Sequence, residues 1–455
     1  MSAFKKANNI TGWIIWLIAT AVYLLTMEAS ASWWDCGEFI AATYKLQVVH
    51  PPGAPIFLMV GRIFTLFASS AEQIPVTTNI FSALSTSFTV LFCFWIITRL
   101  ARKMVAGKAT PDTTQTILII GSGIVGALTC TFLDSIWFSA VESEVYALAT
   151  FFFALIFWAM IKWEEMADSP RGDRWIIFIF LMLGLSMGVH LLSLLAIPAI
   201  GLIYYFRNYT YTRKGLWAAI GINLAILVFV LFGVLDKFIA IAAAFDRALI
   251  GVGMGTGIIV FSALVIGITV WLIRWAIIKN KRMVYIGSMS FAMMMIGLSS
   301  YAMVLIRANA EPPINMNGIN DVHSFLSYLK REQYGSRDLV YGPYWTAQPF
   351  NVEYGKTKWG RAPGGKEYIP IGKDYKLIYD IPESQMAAYG IPPQQIPIIK
   401  GRNKQVLFPR MGSLEGRHAG LYYNFAGVPQ GQESNYIPSY STNLNYFFTY
   451  QLGYM

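Results

Sequence analysis

Long apolar runs alternate with short polar breaks up to about residue 306, where the pattern stops. The runs cover roughly 10–28, 78–100, 114–133, 145–163, 175–189, 191–206, 216–235, 255–278 and 284–306. Most approach the ~20 residues that a helix needs to cross the hydrocarbon core of a bilayer. The fifth and sixth are short and read as one broken hairpin around Gly188-Val189-His190. The pattern predicts a mainly α, polytopic membrane protein with about nine transmembrane helices over residues 1–306.

The breaks carry charge unevenly. Lys5 and Lys6, Arg99, Arg102, Lys103 and Lys108, Lys162, Arg171 and Arg174, Arg207, Arg213 and Lys214, and Arg274, Lys279, Lys281 and Arg282 fall in alternate loops. Such clusters mark the cytoplasmic side. With the N-terminus inside, segments 29–77, 134–144, 236–254 and everything after 306 lie outside, which requires an odd number of spans. The net charge of +10 therefore reports topology. A nucleic-acid partner would need basic residues gathered on one soluble face, and none is visible.

Composition agrees: 55% of the 455 residues are hydrophobic and 13% charged, against about a quarter charged in soluble domains. Three dispersed cysteines, Cys36, Cys93 and Cys130, form neither a disulfide framework nor a zinc spacing. The apolar stretch Ile10–Met27 is longer than a signal-peptide core and reads as the first span. No internal repeat of the transporter kind is apparent.

After Arg307 the chain becomes rich in Tyr, Gly, Pro and Asn. Residues 307–455 read as a small α+β region outside the membrane. VHSFLSYLKREQYG has helical spacing and ends at Gly335, while DLVYG, KEYIPIG and YKLIYD read as short strands. DKFIAIAAAFDRALIG is expected to lie at the interface as an amphipathic helix with solvated charges.

Two outer segments concentrate the polar chemistry. In SWWDCGEFIAATYKLQVVHPPGAPIF, Asp35 and Glu38 share a face if the stretch is helical. Paired carboxylates there suit deprotonation of a hydroxyl. Local spacing offers a second reading, because Ser32 to Asp35 fits a capping box. In DSIWFSAVESEVYAL, Ser139 to Glu142 fits another box, while Glu144 points elsewhere. His50-Pro51-Pro52-Gly53 forces an extended turn. It either carries the chain stiffly into the helix after Pro55 or holds His50 toward a phosphate or hydroxyl. His190 lies at membrane depth, where a polar residue suggests function, although a bonded helix-breaking histidine accounts for it equally. Arg307 leaves the last span and either snorkels or meets a lipid phosphate.

The first segment resembles the opening outer loop of the membrane O-mannosyltransferase-like family. The likeness rests on Asp35, Gly37 and Glu38 followed by His50, Pro51, Pro52 and Gly53. Trp137, Glu144, Val145 and Tyr146 are similar to its second loop, and YLKREQYGSRDLVYGPYW resembles the bacterial branch. More distantly, the loop is similar to that of eukaryotic protein O-mannosyltransferases, whose acidic pair is adjacent. Here Cys36 and Gly37 intervene, so Asp35 and Glu38 both stand as candidates for the base.

The resemblance implies a GT-C-like helical bundle in a bacterial cytoplasmic membrane, with a periplasmic active site and C-terminal region. The donor would be a sugar, mannose, on a polyprenyl phosphate, and the acceptor Ser or Thr of an exported protein. Asp35 and Glu38 would be catalytic. Glu142, Glu144, Tyr146 and Trp137 would bind acceptor or sugar, and His50, His190 and Arg307 the donor phosphate. No metal-ligand spacing stands out, and a divalent ion between Asp35 and Glu144 stays open as an alternative. Bacterial members run longer, so the C-terminal region is expected to be incomplete. Rival readings are transfer to a lipid or glycan, and non-enzymatic transport of a lipid-linked sugar. A transporter would place ionisable groups near the midplane, whereas these acids lie at the outer edge.

Overall fold

A computed structural model of the chain describes residues 3–449 apart from 108, 170, 336–340, 345, 348, 366, 381, 387–388, 408–415, 432, 434–435, 438 and 447–448. Each of the nine apolar runs carries a helix. In chain order the helices are α1 (Ala3–Thr26), α2 (Cys36–Lys45), α3 (Pro55–Thr65), α4 (Ile74–Val105), α5 (Thr113–Thr131), α6 (Asp134–Ala140), α7 (Val145–Met166), α8 (Asp173–Met187), α9 (Ala196–Asn208), α10 (Arg213–Phe229), α11 (Leu235–Ala248), α12 (Thr256–Ile278), α13 (Arg282–Leu298), α14 (Ala302–Ala308) and α15 (Val322–Leu329).

Among the described residues, seven helical stretches are long and apolar enough to cross a membrane. They are α1, α4 with its preceding turn, α5, α7, α9 with its preceding 3-10 turn, α12, and α13 through α14. The chain is a multi-pass membrane protein. Two expected spans are shorter as regular α-helix: α8 has 15 residues and α10 has 17. A π-helical turn, Val230–Val234, follows α10 and leads into α11. The expected break between the fifth and sixth spans is present, because α8 ends at Met187 and a 3-10 turn opens at Leu191.

Helix α4 is the hub, packing against α1, α5 and α7 with Phe81, Val90 and Phe94 buried. Helices α8 and α13 meet at glycines. A Cβ on Gly184 would lie 2.2 Å from the Met294 carbonyl oxygen, and one on Gly297 would lie 2.4 Å from the Gly184 carbonyl carbon. Close backbone approach of this kind is how membrane helices gain packing contact where lipid supplies no hydrophobic drive.

Helix α11 corrects an expectation. It packs on α12 and α15, and Asp246 is fully buried. Its carboxylate accepts from the backbone N–H groups of Gly257 (2.9 Å) and Gly255 (3.2 Å). These are orphan donors at the start of α12, where a carboxylate is favoured. The amphipathic pattern of α11 was visible, but its acid caps a neighbouring helix and is not solvated.

One compact unit comprises Met1–Arg331 with Pro363–Glu367, so residues 307–331 pack with the helical bundle. The second comprises Glu332–Ala362 and Tyr368–Met455. In it, β2 (Asn351–Arg361) pairs antiparallel with β3 (Tyr368–Ile378), and β1 (Tyr341–Pro343) pairs antiparallel with β4 (Gln405–Leu407). KEYIPIG and YKLIYD thus largely form one strand, and its partner NVEYGKTKWGR was not foreseen. Most of DLVYG lies outside the described residues; its end begins β1.

Candidate functional site

Helix α2 begins at Cys36, one residue after Asp35, so neither local capping box forms. Asp35 sits at the N-cap position with no side-chain cap bond. Ser32 turns away: its hydroxyl donates to Glu142 Oε2 at 2.7 Å and lies 3.1 Å from Cys36 Sγ. Helix α7 begins only at Val145, capped by Glu144, whose carboxylate accepts from the Val145 N–H at 3.2 Å. Ser32 of one expected box and Glu142 of the other instead pair with each other and join two loops about 110 residues apart.

Asn79 on α4 completes the seam. Its amide donates to the carbonyls of Glu28 (2.8 Å) and Ser30 (3.2 Å), and its oxygen accepts from Ser143 Oγ (2.5 Å). Glu28 N–H also donates to the Val141 carbonyl. Sequence reasoning gave Ser32 only a local cap and passed over Asn79 and Ser143. A polar Asn inside an apolar run was the available signal for Asn79.

Asp35, Glu38 and His50 come together. Glu38 accepts from the His50 backbone N–H with Oε1 and meets His50 Nδ1 with Oε2, both at 2.8 Å. His50 Nε2 then lies 3.8 Å from Asp35 Oδ2. The two-point hold fixes both main chain and ring of His50, and Phe39 meets the ring edge-on at 5.6 Å. The His-Pro-Pro-Gly turn is held from behind. Its Pro51-Pro52 peptide is cis, and Gly53 has φ of 77°. A Cβ there would lie 2.7 Å from Tyr328 Oη, the hydroxyl that donates to the Val49 carbonyl. Only glycine combines that backbone with that contact.

The charges of these groups are set by their surroundings. The Glu38 hydrogen bond, and then the Coulomb fields of Glu38, Asp35 and Glu144, hold His50 above its ordinary value despite partial burial. Burial pushes Glu144 up to about 7, with Asp35 and Glu142 adding to the rise and His50 opposing it. Glu144 is therefore near enough to feel both Asp35 and His50. Burial also pushes the Cys36 thiol up to about 12, so it is not a thiolate nucleophile. Asp35 is the exposed member, with its side chain 57% accessible against 22% for Glu38.

Asp35, Glu38 and His50 each offer one ligand atom within 4.8 Å of the others, a grouping compatible with a divalent cation. Glu38 on Nδ1 would then orient the ring while Nε2 and Asp35 face the ion.

The other expected site residues make contacts of their own. His190 caps the 3-10 turn before α9, with Nδ1 accepting from Leu192 N–H at 3.1 Å. Burial lowers its pKa, and its ring lies 5.3 Å from that of Tyr146. Trp137 donates to Thr26 Oγ1 at 2.9 Å and packs beside Phe132. Arg307 donates through Nε to the Leu46 carbonyl (2.7 Å) and through Nη2 to the Lys45 carbonyl (3.0 Å). It closes the C-terminal end of α2, opposite to Asp35 and Glu38.

A multi-pass membrane protein with an acid–histidine cluster in its first long loop, joined by Ser32 and Glu142 to a second acidic loop, is the class that fold and site define. Residues 35–213 match the family model of the protein O-mannosyl-transferase TMEM260 N-terminal domain, and the resemblance read from the two loops holds over this stretch. Residues 335–448 match a family of unknown function, DUF8416. The mouse protein O-mannosyl-transferase TMEM260 is 27% identical over 157 residues, 34% of this chain and 20% of that protein. The Dictyostelium discoideum protein of the same name is 23% identical over 175 residues, 38% of this chain and 19% of that protein. The match thus spans about a fifth of each relative. No solved structure matches the chain.

Proposed function

We propose that this protein is a membrane glycosyltransferase that moves mannose from a polyprenyl-phosphate donor to Ser or Thr hydroxyls of exported proteins, at the face of the membrane opposite the basic loops. The acceptor hydroxyl attacks the anomeric carbon, a new C–O bond forms, and the sugar's bond to the lipid phosphate breaks. Asp35 takes the hydroxyl proton. Glu38 holds His50 in place and keeps it cationic beside the phosphate, which leaves as an anion. Glu144 borders the sugar or acceptor. Arg307 steadies α2 and with it the acidic pair.

The observation that carries this reading is the meeting of Asp35, Glu38 and His50, with Glu144 in electrostatic reach, in the stretch matching the O-mannosyl-transferase domain. The test is transfer of labelled mannose from polyprenyl-phosphate mannose to a Ser/Thr peptide by protein reconstituted in liposomes. Turnover that Asp35→Asn abolishes is expected. Full transfer by Asp35→Asn would remove the base assignment, and passage of the lipid-linked sugar across the bilayer with no glycosylated product would remove the enzyme.

A further inference from the structure

The opposite end of the bundle holds a cavity of about 430 Å³ that the acidic site does not use. Its walls come from the first turns of α1 and the last turns of α4 and α7, the ends that carry the basic clusters. Lys5, Arg99, Arg102 and Lys162 line it. Glu165 pairs with Arg99 and Lys162, and Glu164 pairs with Lys103 outside the cavity. Among the described residues no carboxylate pairs with Arg102, whose guanidinium lies 5.6 Å from the Phe4 ring centroid.

The donors of this wall are unmet. Trp95 Nε1, Arg99 Nε and Arg102 Nε are buried without a hydrogen-bond partner among the described residues. A buried donor left unmade costs ~1–3 kcal/mol. Asn8 Oδ1, an acceptor on the same wall, is likewise unmet. These atoms are covered, and it is the charge of the lining cations that suits an anion with several oxygens. The rest of the wall is aromatic: the Trp95 ring lies 6.1 Å from Trp13 and 6.0 Å from Trp158. Trp13 is also 46% exposed, on a helix long and apolar enough to cross a membrane. An aromatic slot open to lipid, ending in cations, fits an amphiphile with its charged group among the arginines.

We infer that this cavity binds the phosphate group of an anionic membrane lipid, with Arg102 as its main anchor. The fork of an arginine suits two phosphate oxygens, and the tryptophan rings cover the glycerol and first methylenes. The site is separate from the acidic cluster, so it is tested without any transfer reaction.

The full chain is reconstituted in phosphatidylcholine nanodiscs containing phosphatidylglycerol, extracted, and its retained lipids weighed by native mass spectrometry. The wild type keeps phosphatidylglycerol in preference to phosphatidylcholine. Arg102→Gln lowers that retention roughly tenfold, the scale of one charge-assisted hydrogen bond. Arg102→Lys keeps the charge, loses the two-point fork, and lowers retention several-fold. Lys103→Gln, one residue away but outside the cavity, leaves it unchanged. Equal retention by wild type and Arg102→Gln overturns the proposal, as does equal loss in Lys103→Gln, which would reveal general surface charge. Displacement of the lipid by millimolar inorganic phosphate overturns it too, because the cavity would then read a soluble anion. A melting temperature for each variant separates lost binding from lost folding, and Arg102→Lys carries the test if Arg102→Gln fails to fold.

Discussion

The two acidic loops look alike in sequence and behave differently in the folded chain. The first gathers Asp35, Glu38 and His50 into a half-exposed cluster in which each charged group faces another. The second buries Glu142 and Glu144 and commits them to a seam and a helix cap. A carboxylate with solvent beside it and a cation opposite can exchange protons. One that is buried and bonded chiefly fixes geometry, and burial pushes the pKa of Glu144 up.

Four substitutions sharpen or break that contrast. The largest effect belongs to Asp35→Asn, expected to cut mannose transfer by ~100-fold or more with the melting temperature unchanged. Loss of folding instead would move Asp35 to the structural side. Next is Glu38→Gln. The carboxylate that raises His50 is removed, so its protonated form loses its main stabiliser and its pKa falls. The alkaline limb of the pH profile of kcat/KM should then move to lower pH.

Glu144→Gln probes the buried loop by stability. The folded pKa of Glu144 is raised from 4.5 to about 7, so the folded chain holds more protons through that window and loses stability as pH climbs. Gln mimics the neutral acid. It should raise stability by on the order of 1 kcal/mol at pH 8 and leave it unchanged at pH 4, read by thermal unfolding. A stabilisation equal at both pH values would detach the effect from ionisation. The smallest change is Ser32→Ala, which removes one bond of the seam. It should cost about 1 kcal/mol and lower the melting temperature by ~1–2 °C.

The membrane architecture was legible because each apolar run is a local signal. The broken hairpin at Gly188-Val189-His190 was legible too, because glycine and a polar side chain interrupt an apolar run. The candidate site was legible in its members but not in its bonding. Ser32 and Glu142 each fit a capping box by local spacing, yet each found a better partner in the other loop. Asp246 likewise looked solvated until α12 supplied two unpaired N–H groups. Arg307 looked like a phosphate ligand because its partners, the carbonyls of Lys45 and Leu46, lie about 260 residues earlier. Spacing rules see one helix at a time, and they fail where a polar group is satisfied from another.

The reach of Arg307 has a consequence for synthesis. The end of α2 is held by Arg307, Val48 bridges to Asn315, Gln47 accepts from the Ile314 N–H, and Tyr328 donates to the Val49 carbonyl. At roughly 5–20 residues per second on the ribosome, the first loop waits roughly 15–50 s for these partners to emerge. The acids are made almost first and clamped almost last. A nascent chain stopped before the ninth apolar run would carry every member of the cluster and lack the clasp that aligns them.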